Sequence, residues 1–348
     1  MTTFARLIAF VAAWSGGSHV LFRERFVEVG TARGTMHVRC TEPRFPSHAA
    51  PPLVVFVHGM SLRGERDPRQ DSFCEALACA GFRVLAPRID EVASLRFGRD
   101  SVEQIAEFLE AVSGDAGLAR SGRLSVASVS FSAAATLIAC ARETLRDRVD
   151  VAFLLGGYCD VRLCVAQLLT TAKDDYGRLL GLRNFLRFAG ESTPAIDEAI
   201  LRMCEDNVAG RPEATRIERA SALPIRERAR LIELLLDVDA RHRLLDRAFE
   251  KTPELWDLLD LAPALPFIRF PVTIVHGAGD DVIDVEQAHM LAAELRARRI
   301  EHRLCVTPLV DHGTKKGLFD AGFALVDLLR GVAFFFDRAS GGSTGATA

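Results

Sequence analysis

Leu124-Ser-Val-Ala-Ser-Val-Ser130 passes without a break into Phe131-Ser-Ala-Ala-Ala-Thr-Leu-Ile-Ala-Cys140. The first half is small and β-branched, as a buried strand requires, and the second reads as a helix. A strand that turns sharply into a helix at a serine lifts the hydroxyl clear of the sheet edge. Ser130 is therefore a candidate reactive residue, while Ser128 and Ser132 stand out of register with the turn.

Outward from this junction, strand and helix patterns alternate. Phe26-Val-Glu-Val-Gly30 and Thr35-Met-His-Val-Arg39 flank a glycine-containing turn and read as an antiparallel hairpin. A Pro-rich loop from Pro43 to Pro52 leads to Leu53-Val-Val-Phe-Val57, a continuous apolar run expected of a strand buried on both faces. A helix near 70–80, a strand at Phe82–Ala86 and a helix running to Val112 follow, the last with Asp100 or Ser101 as its cap. Beyond the serine turn comes Val149-Asp-Val-Ala-Phe-Leu-Leu155, ended by Gly156-Gly157. The alternation resumes with a strand at Phe270–Val275, a helix at Val285–Arg298, a strand at Glu301–Thr307 and a closing helix at Leu318–Phe336. Repeated β-α-β units imply an α/β fold with a doubly wound, mostly parallel sheet and sites at the carboxyl ends of its strands.

Residues 160–265 have a different texture. Leucine, arginine and acidic residues recur at helical spacing, as in Leu231-Ile-Glu-Leu-Leu-Leu236, with breaks at Gly190, Pro194, Pro212 and Pro224. Inserted between two core strands, the block is expected to form a helical cap over the active-site edge, with an appendage or dimer surface as its competitor. Its arginine-rich faces read as solvated helix surface. The expected organisation is thus an N-terminal apolar segment over 1–25, a core over 26–159 and 266–338, a cap over 160–265 and a disordered tail over 339–348.

Composition excludes several function classes. A formal net charge of −3 over 348 residues gives no basic footprint for nucleic acid. The eight cysteines are scattered without a C-x-x-C pair and read as core thiols in a reducing compartment rather than as a disulfide framework or metal site. Leu7-Ile-Ala-Phe-Val-Ala-Ala-Trp14 follows Arg6 and loosely imitates a signal peptide, but it is too short to span a bilayer. It is expected to be a helix packed beside the first strands of a cytoplasmic protein, with export or membrane-surface association as the alternative. No H-E-x-x-H pattern, phosphate-cradling loop or dinucleotide fingerprint is present, so no metal or nucleotide cofactor is implied.

Downstream of Ser130, Asp280 and then His312 each follow a predicted strand, which gives the order Ser…Asp…His. His58-Gly59 ends the Leu53–Val57 strand, Ser128-Val-Ser130-Phe-Ser132 occupies the place of a G-x-S-x-G turn, and Phe270-Pro-Val-Thr-Ile-Val-His-Gly277-Ala-Gly-Asp280 precedes Asp311-His312-Gly313. In these features the chain resembles the α/β-hydrolase superfamily from about residue 26 to 337, the insertion apart. The resemblance implies a capped serine hydrolase of carboxylesterase or lipase type. Ser130 would be the nucleophile, His312 the general base and Asp280 the partner that orients the imidazole. The backbone N–H groups of Met60 and Phe131 would form the oxyanion hole, with His58 and Gly59 supporting the turn and His276 packed beside Gly277. Asp281 and Asp284 are loop neighbours of the acid.

The reaction implied is cleavage of a carboxylic ester or related acyl bond in a small, hydrophobic substrate. A thioesterase or acyltransferase on the same triad is the alternative within enzymes. Ser128 and Ser132 replace both glycines of the turn, where glycine relieves crowding between strand and helix. That departure keeps open a second class, a binding protein that retains the fold without its catalysis.

Overall fold

A computed structural model describes residues 1–16, 21–46, 51–119, 121–171, 174–211, 214–310 and 322–339. Among the described residues, eight strands form one sheet: β1 (Phe22–Thr31), β2 (Gly34–Pro43), β3 (Leu53–Val57), β4 (Arg83–Ala86), β5 (Leu124–Val129), β6 (Val149–Leu155), β7 (Val272–Gly277) and β8 (His302–Thr307). Their spatial order is β1-β2-β4-β3-β5-β6-β7-β8. β1 and β2 pair antiparallel, as do β2 and β4, and every later pair is parallel. All residues of β3 and β5 are buried, whereas β1 at the edge buries only Val27 and Val29. This is the patterning expected when central parallel strands are covered on both faces.

The helices, in chain order, are α1 (Thr3–Trp14), α2 (Pro68–Cys79), α3 (Asp90–Ala93), α4 (Arg99–Gly114), α5 (Phe131–Cys140), α6 (Val161–Thr170), α7 (Asp175–Phe188), α8 (Pro194–Val208), α9 (Ala214–Ser221), α10 (Ile225–Leu236), α11 (Val238–Lys251), α12 (Pro253–Leu259), α13 (Glu286–Ala297) and α14 (Gly322–Ala339). They divide between two compact units. The first holds residues 1–159, 261–280 and 285–348, and the second 160–260 with 281–284.

In the first unit, Phe56, Ala127, Val129, Val151 and Phe153 from the sheet meet Phe10, Leu77, Phe82, Leu328, Phe335 and Phe336 in one buried cluster. Burial of each such side chain contributes about 1.5–3 kcal/mol before the entropy of ordering is subtracted. The N-terminal segment is helical, but it packs on α2 and α14 rather than on the first strands. Two residues fix that choice. Phe10 enters the cluster, and buried Arg6 donates from Nη1 to Ala80 O (2.6 Å), past the end of α2, with its guanidinium 4.6 Å from the Phe82 ring centroid. Cations are favoured at helix C-termini, where carbonyls lack intrahelical donors.

Several boundaries depart from expectation. Gly98, not Asp100 or Ser101, caps α4; Ser101 sits three positions inside, where its Oγ accepts from Gly98 N (3.2 Å) and donates to Gly98 O (2.7 Å). β7 starts two residues later than predicted and takes in His276 and Gly277. The described part of the closing helix runs on to Ala339, and 318–321 lie outside the described residues.

The second unit is all helical. Gly190, with φ +65°, follows α7; Pro194 opens α8; Pro224 precedes α10. Pro212 lies outside the described residues. Its core is built on Trp256, stacked on Phe185 at 5.2 Å and edge-on to Phe188 and Phe249. Two arginines depart from the solvated reading of these helices. Arg183 is buried on a bidentate bond to Asp197 (2.9 Å each), and Arg241 is buried against the carbonyls of Leu234 and Leu235. Among the described residues, no helix is long and apolar enough to cross a membrane.

Candidate active site

Ser130 stands between the last residue of β5 and the first of α5, with φ +60° and ψ −140°. A side chain in that region costs on the order of 1–3 kcal/mol and persists only where the surroundings impose it. Here Ser130 N donates to Leu155 O of the neighbouring strand (2.8 Å), and Ser130 O accepts from Ala133 N (2.9 Å). One bond ties the turn to the sheet and the other to the helix.

Ser128 and Ser132, the residues in the glycine places, are both buried. The crowding between strand and helix is relieved elsewhere. A Cβ on Gly157, just past β6, would stand 2.7 Å from the Cβ of Ala133. One on Gly59 would lie 3.3 Å from the Cβ of Ser130 and 3.4 Å from Val129 O. Close approach is thus supplied by glycines on the flanking loops. The role of Gly157 was not read from the sequence, where Gly156-Gly157 marked only a strand end.

The turn after β3 is pinned by His58, which is fully buried. Ile89 N donates to its Nε2 (3.0 Å), so the proton resides on Nδ1, which donates to Gly59 O (2.8 Å). Burial lowers the pKa of the imidazole, and the bond to the Gly59 carbonyl opposes this only in part. His58 therefore joins the turn to the segment before α3 as a neutral ring. Further along, Asp67 caps α2 and accepts from Arg69 N, Arg69 Nε and the Ser61 hydroxyl. Burial alone would raise its pKa, but these bonds and the Arg69 charge hold it at about 2. Met60 and Ser61 thus lie on a stretch fixed at both ends.

β3 and β5 are neighbours with Val57 opposite Ser128, which brings the Gly59–Met60 backbone beside the Ser130–Phe131 junction. The ring of Phe131 is buried, with Phe97 (4.3 Å) and Tyr158 (4.9 Å) against it.

β7 leads to Asp280. Asp280 N donates to Gly277 O (3.3 Å), and its carboxylate is buried, with Oδ2 3.6 Å from Nε2 of buried His276. Asp281 and Asp284 are exposed. His276 therefore does more than pack beside Gly277: it faces the carboxylate. Its i, i+4 spacing from Asp280 was the available signal. Asp311, His312 and Gly313 lie outside the described residues. Ser130 and Asp280 follow β5 and β7, the two strands that flank β6.

The chain matches no protein-family model and no curated protein. Solved structures do match it. Brefeldin A esterase, a bacterial homologue of human hormone sensitive lipase, superposes with a TM-score of 0.55 at 16% identity, over 97% of this chain and 86% of that one. A Pyrococcus horikoshii acylaminoacyl peptidase gives 0.54 at 12% identity, over 94% and 43%. A Mycobacterium tuberculosis puromycin-hydrolyzing peptidase gives 0.53 at 16%, over 93% and 40%. This chain has the α/β-hydrolase fold. It spans about two fifths of the length of the peptidase chains, so the likeness covers one part of those proteins. In the α/β-hydrolase sheet described above, Ser130, Met60 and Asp280 all follow carboxyl ends of parallel strands, where open α/β sheets bind ligands.

Proposed function

We propose that the protein is a serine hydrolase that cleaves a carboxylic ester or related acyl bond through an acyl-enzyme. The observation that carries the reading is the backbone of Ser130, a non-glycine residue held at φ +60° between a buried strand and a helix. Strain of this kind concentrates where a side chain must be presented for chemistry. The esterase and peptidase names of the structural neighbours agree with a hydrolase.

In this reading the Ser130 Oγ attacks the acyl carbonyl while His312 takes its proton. The oxyanion that develops is met by the N–H groups of Met60 and Phe131, and losing one such donor raises the barrier by about 3–4 kcal/mol. Collapse breaks the bond to the alcohol, which leaves with the proton from His312. Water then attacks the acyl-Ser130 ester and gives its proton to the same imidazole; the acyl–Oγ bond breaks, the acid leaves and the imidazolium returns that proton to Ser130 Oγ. Asp280 holds the imidazole tautomer and stabilises its charge, with His276 against the carboxylate.

The test is hydrolysis of p-nitrophenyl esters of graded acyl length. Wild type is expected to release a burst of p-nitrophenol equal to the enzyme present, and Ser130→Ala none. Turnover that survives in Ser130→Ala would overturn the assignment.

A further inference from the structure

Three non-glycine residues among those described have positive φ: Leu95, Ser130 and Arg299. Two of them bear on one aromatic stack. Leu95, buried with φ +57°, ends a turn closed by Leu95 N to Val92 O (3.0 Å) and Arg96 N to Glu91 O (3.0 Å). That turn carries Phe97 onto one side of the Phe131 ring. Elsewhere, Gly156 at φ +61° redirects the chain leaving β6 and brings buried Tyr158 against the same ring. The first residue of α5 is therefore packed against two rings, each delivered by a backbone turn in the left-handed region.

We propose that Phe97 and Tyr158 are positioning residues that fix the Phe131 N–H as an oxyanion donor. The inference rests on the serine-hydrolase reading given above. An N–H in the first turn of a helix has no intrahelical acceptor, so its direction follows the peptide plane joining Ser130 to Phe131. Relaxation of the strained Ser130 backbone would rotate the first turn of α5, which carries both the Phe131 ring and its N–H. A buried ring in contact with two others resists that rotation, and aromatic pairs add attraction beyond buried area. Preorganisation of this kind is what makes a donor effective at the transition state.

The test is the rate at which a fluorophosphonate modifies Ser130, a reaction in which the serine oxygen bonds phosphorus and fluoride leaves. It resolves a maximal rate, kinact, from an affinity, KI. Phe97→Met and Tyr158→Met keep a long apolar side chain and remove the ring. Tyr158→Phe restores the ring without the hydroxyl, and Phe82→Leu removes a ring from the cluster containing Phe10 and Phe336. Each methionine variant is expected to lower kinact at least about tenfold, part of the loss from removing a donor outright, with KI within about twofold. Phe82→Leu should stay near wild type, and Tyr158→Phe should retain more of kinact than Tyr158→Met. Unchanged kinact in both methionine variants, or an equal fall in Phe82→Leu, would overturn the clamp alone. No modification of wild type at Ser130 would overturn the hydrolase reading and the clamp with it. Were one methionine variant to lose its fold, the other and Phe97→Leu answer the same question.

Discussion

A Cβ on Gly157 would stand 2.7 Å from the Cβ of Ala133, closer than real side chains approach. The loop after β6 and the first turn of α5 are in backbone contact, and that contact sets how α5 leaves Ser130. Gly157→Ala is expected to destabilise the fold by about 1–3 kcal/mol, as overpacking does. Ala133→Gly should recover part of that loss when added to it. Denaturant midpoints of the four proteins in this double-mutant cycle check the coupling, and strictly additive effects would show that the two residues do not meet.

The buried neutral ring of His58 ties stability to pH. Its folded pKa lies below the unfolded value of about 6.5, so the unfolded state binds the extra proton. Its contribution is complete above about 6.5 and is lost as the pH falls below it. His58→Gln, which keeps an acceptor for Ile89 N but cannot titrate, should show a flatter loss of melting temperature between about pH 7.5 and 5. Parallel curves for the two proteins would refute the assignment.

Much of this architecture was legible because burial on both faces leaves a sequence trace. Leu53–Val57 and Leu124–Val129 read as strands for that reason, and the run into Phe131 placed the serine turn. What escaped were relations between distant segments. That Gly157 must be glycine depends on Ala133, and that α1 seats on α2 and α14 depends on Arg6 finding the Ala80 carbonyl. Neither leaves a local pattern. The cap of α4 was misplaced because Ser101 acts from inside the first turn, where it resembles the cap residue itself.

All eight cysteines are buried and none is in a disulfide, and burial pushes the thiols of Cys74, Cys204 and Cys305 up to about 12. Thiolate is the reactive form, so the native protein should resist a disulfide reagent at neutral pH. Release of the reagent's chromophore is expected only at the rate of unfolding, reaching eight equivalents in denaturant. Rapid reaction of one or more thiols in buffer would contradict the buried placement.

Asp280 and His276 make the acid a second point of attack. Asp280→Asn keeps the shape of the side chain but removes the charge that the proposed mechanism uses to stabilise an imidazolium. It is expected to lower ester turnover by about 10⁴-fold, as the equivalent change does in other triads, with little change in melting temperature. Asp281→Asn and Asp284→Asn, at exposed positions, should leave turnover within about twofold. Equal losses from all three would remove Asp280 from its special place.

The central claim is that Ser130 is an activated nucleophile, and the most direct measurement is the site of a fluorophosphonate adduct, mapped by peptide mass spectrometry. The account predicts one adduct per chain, on the peptide containing Ser130, absent from Ser130→Ala and from His312→Ala. A folded wild-type protein that takes up no probe, or takes it up at another residue, would contradict it.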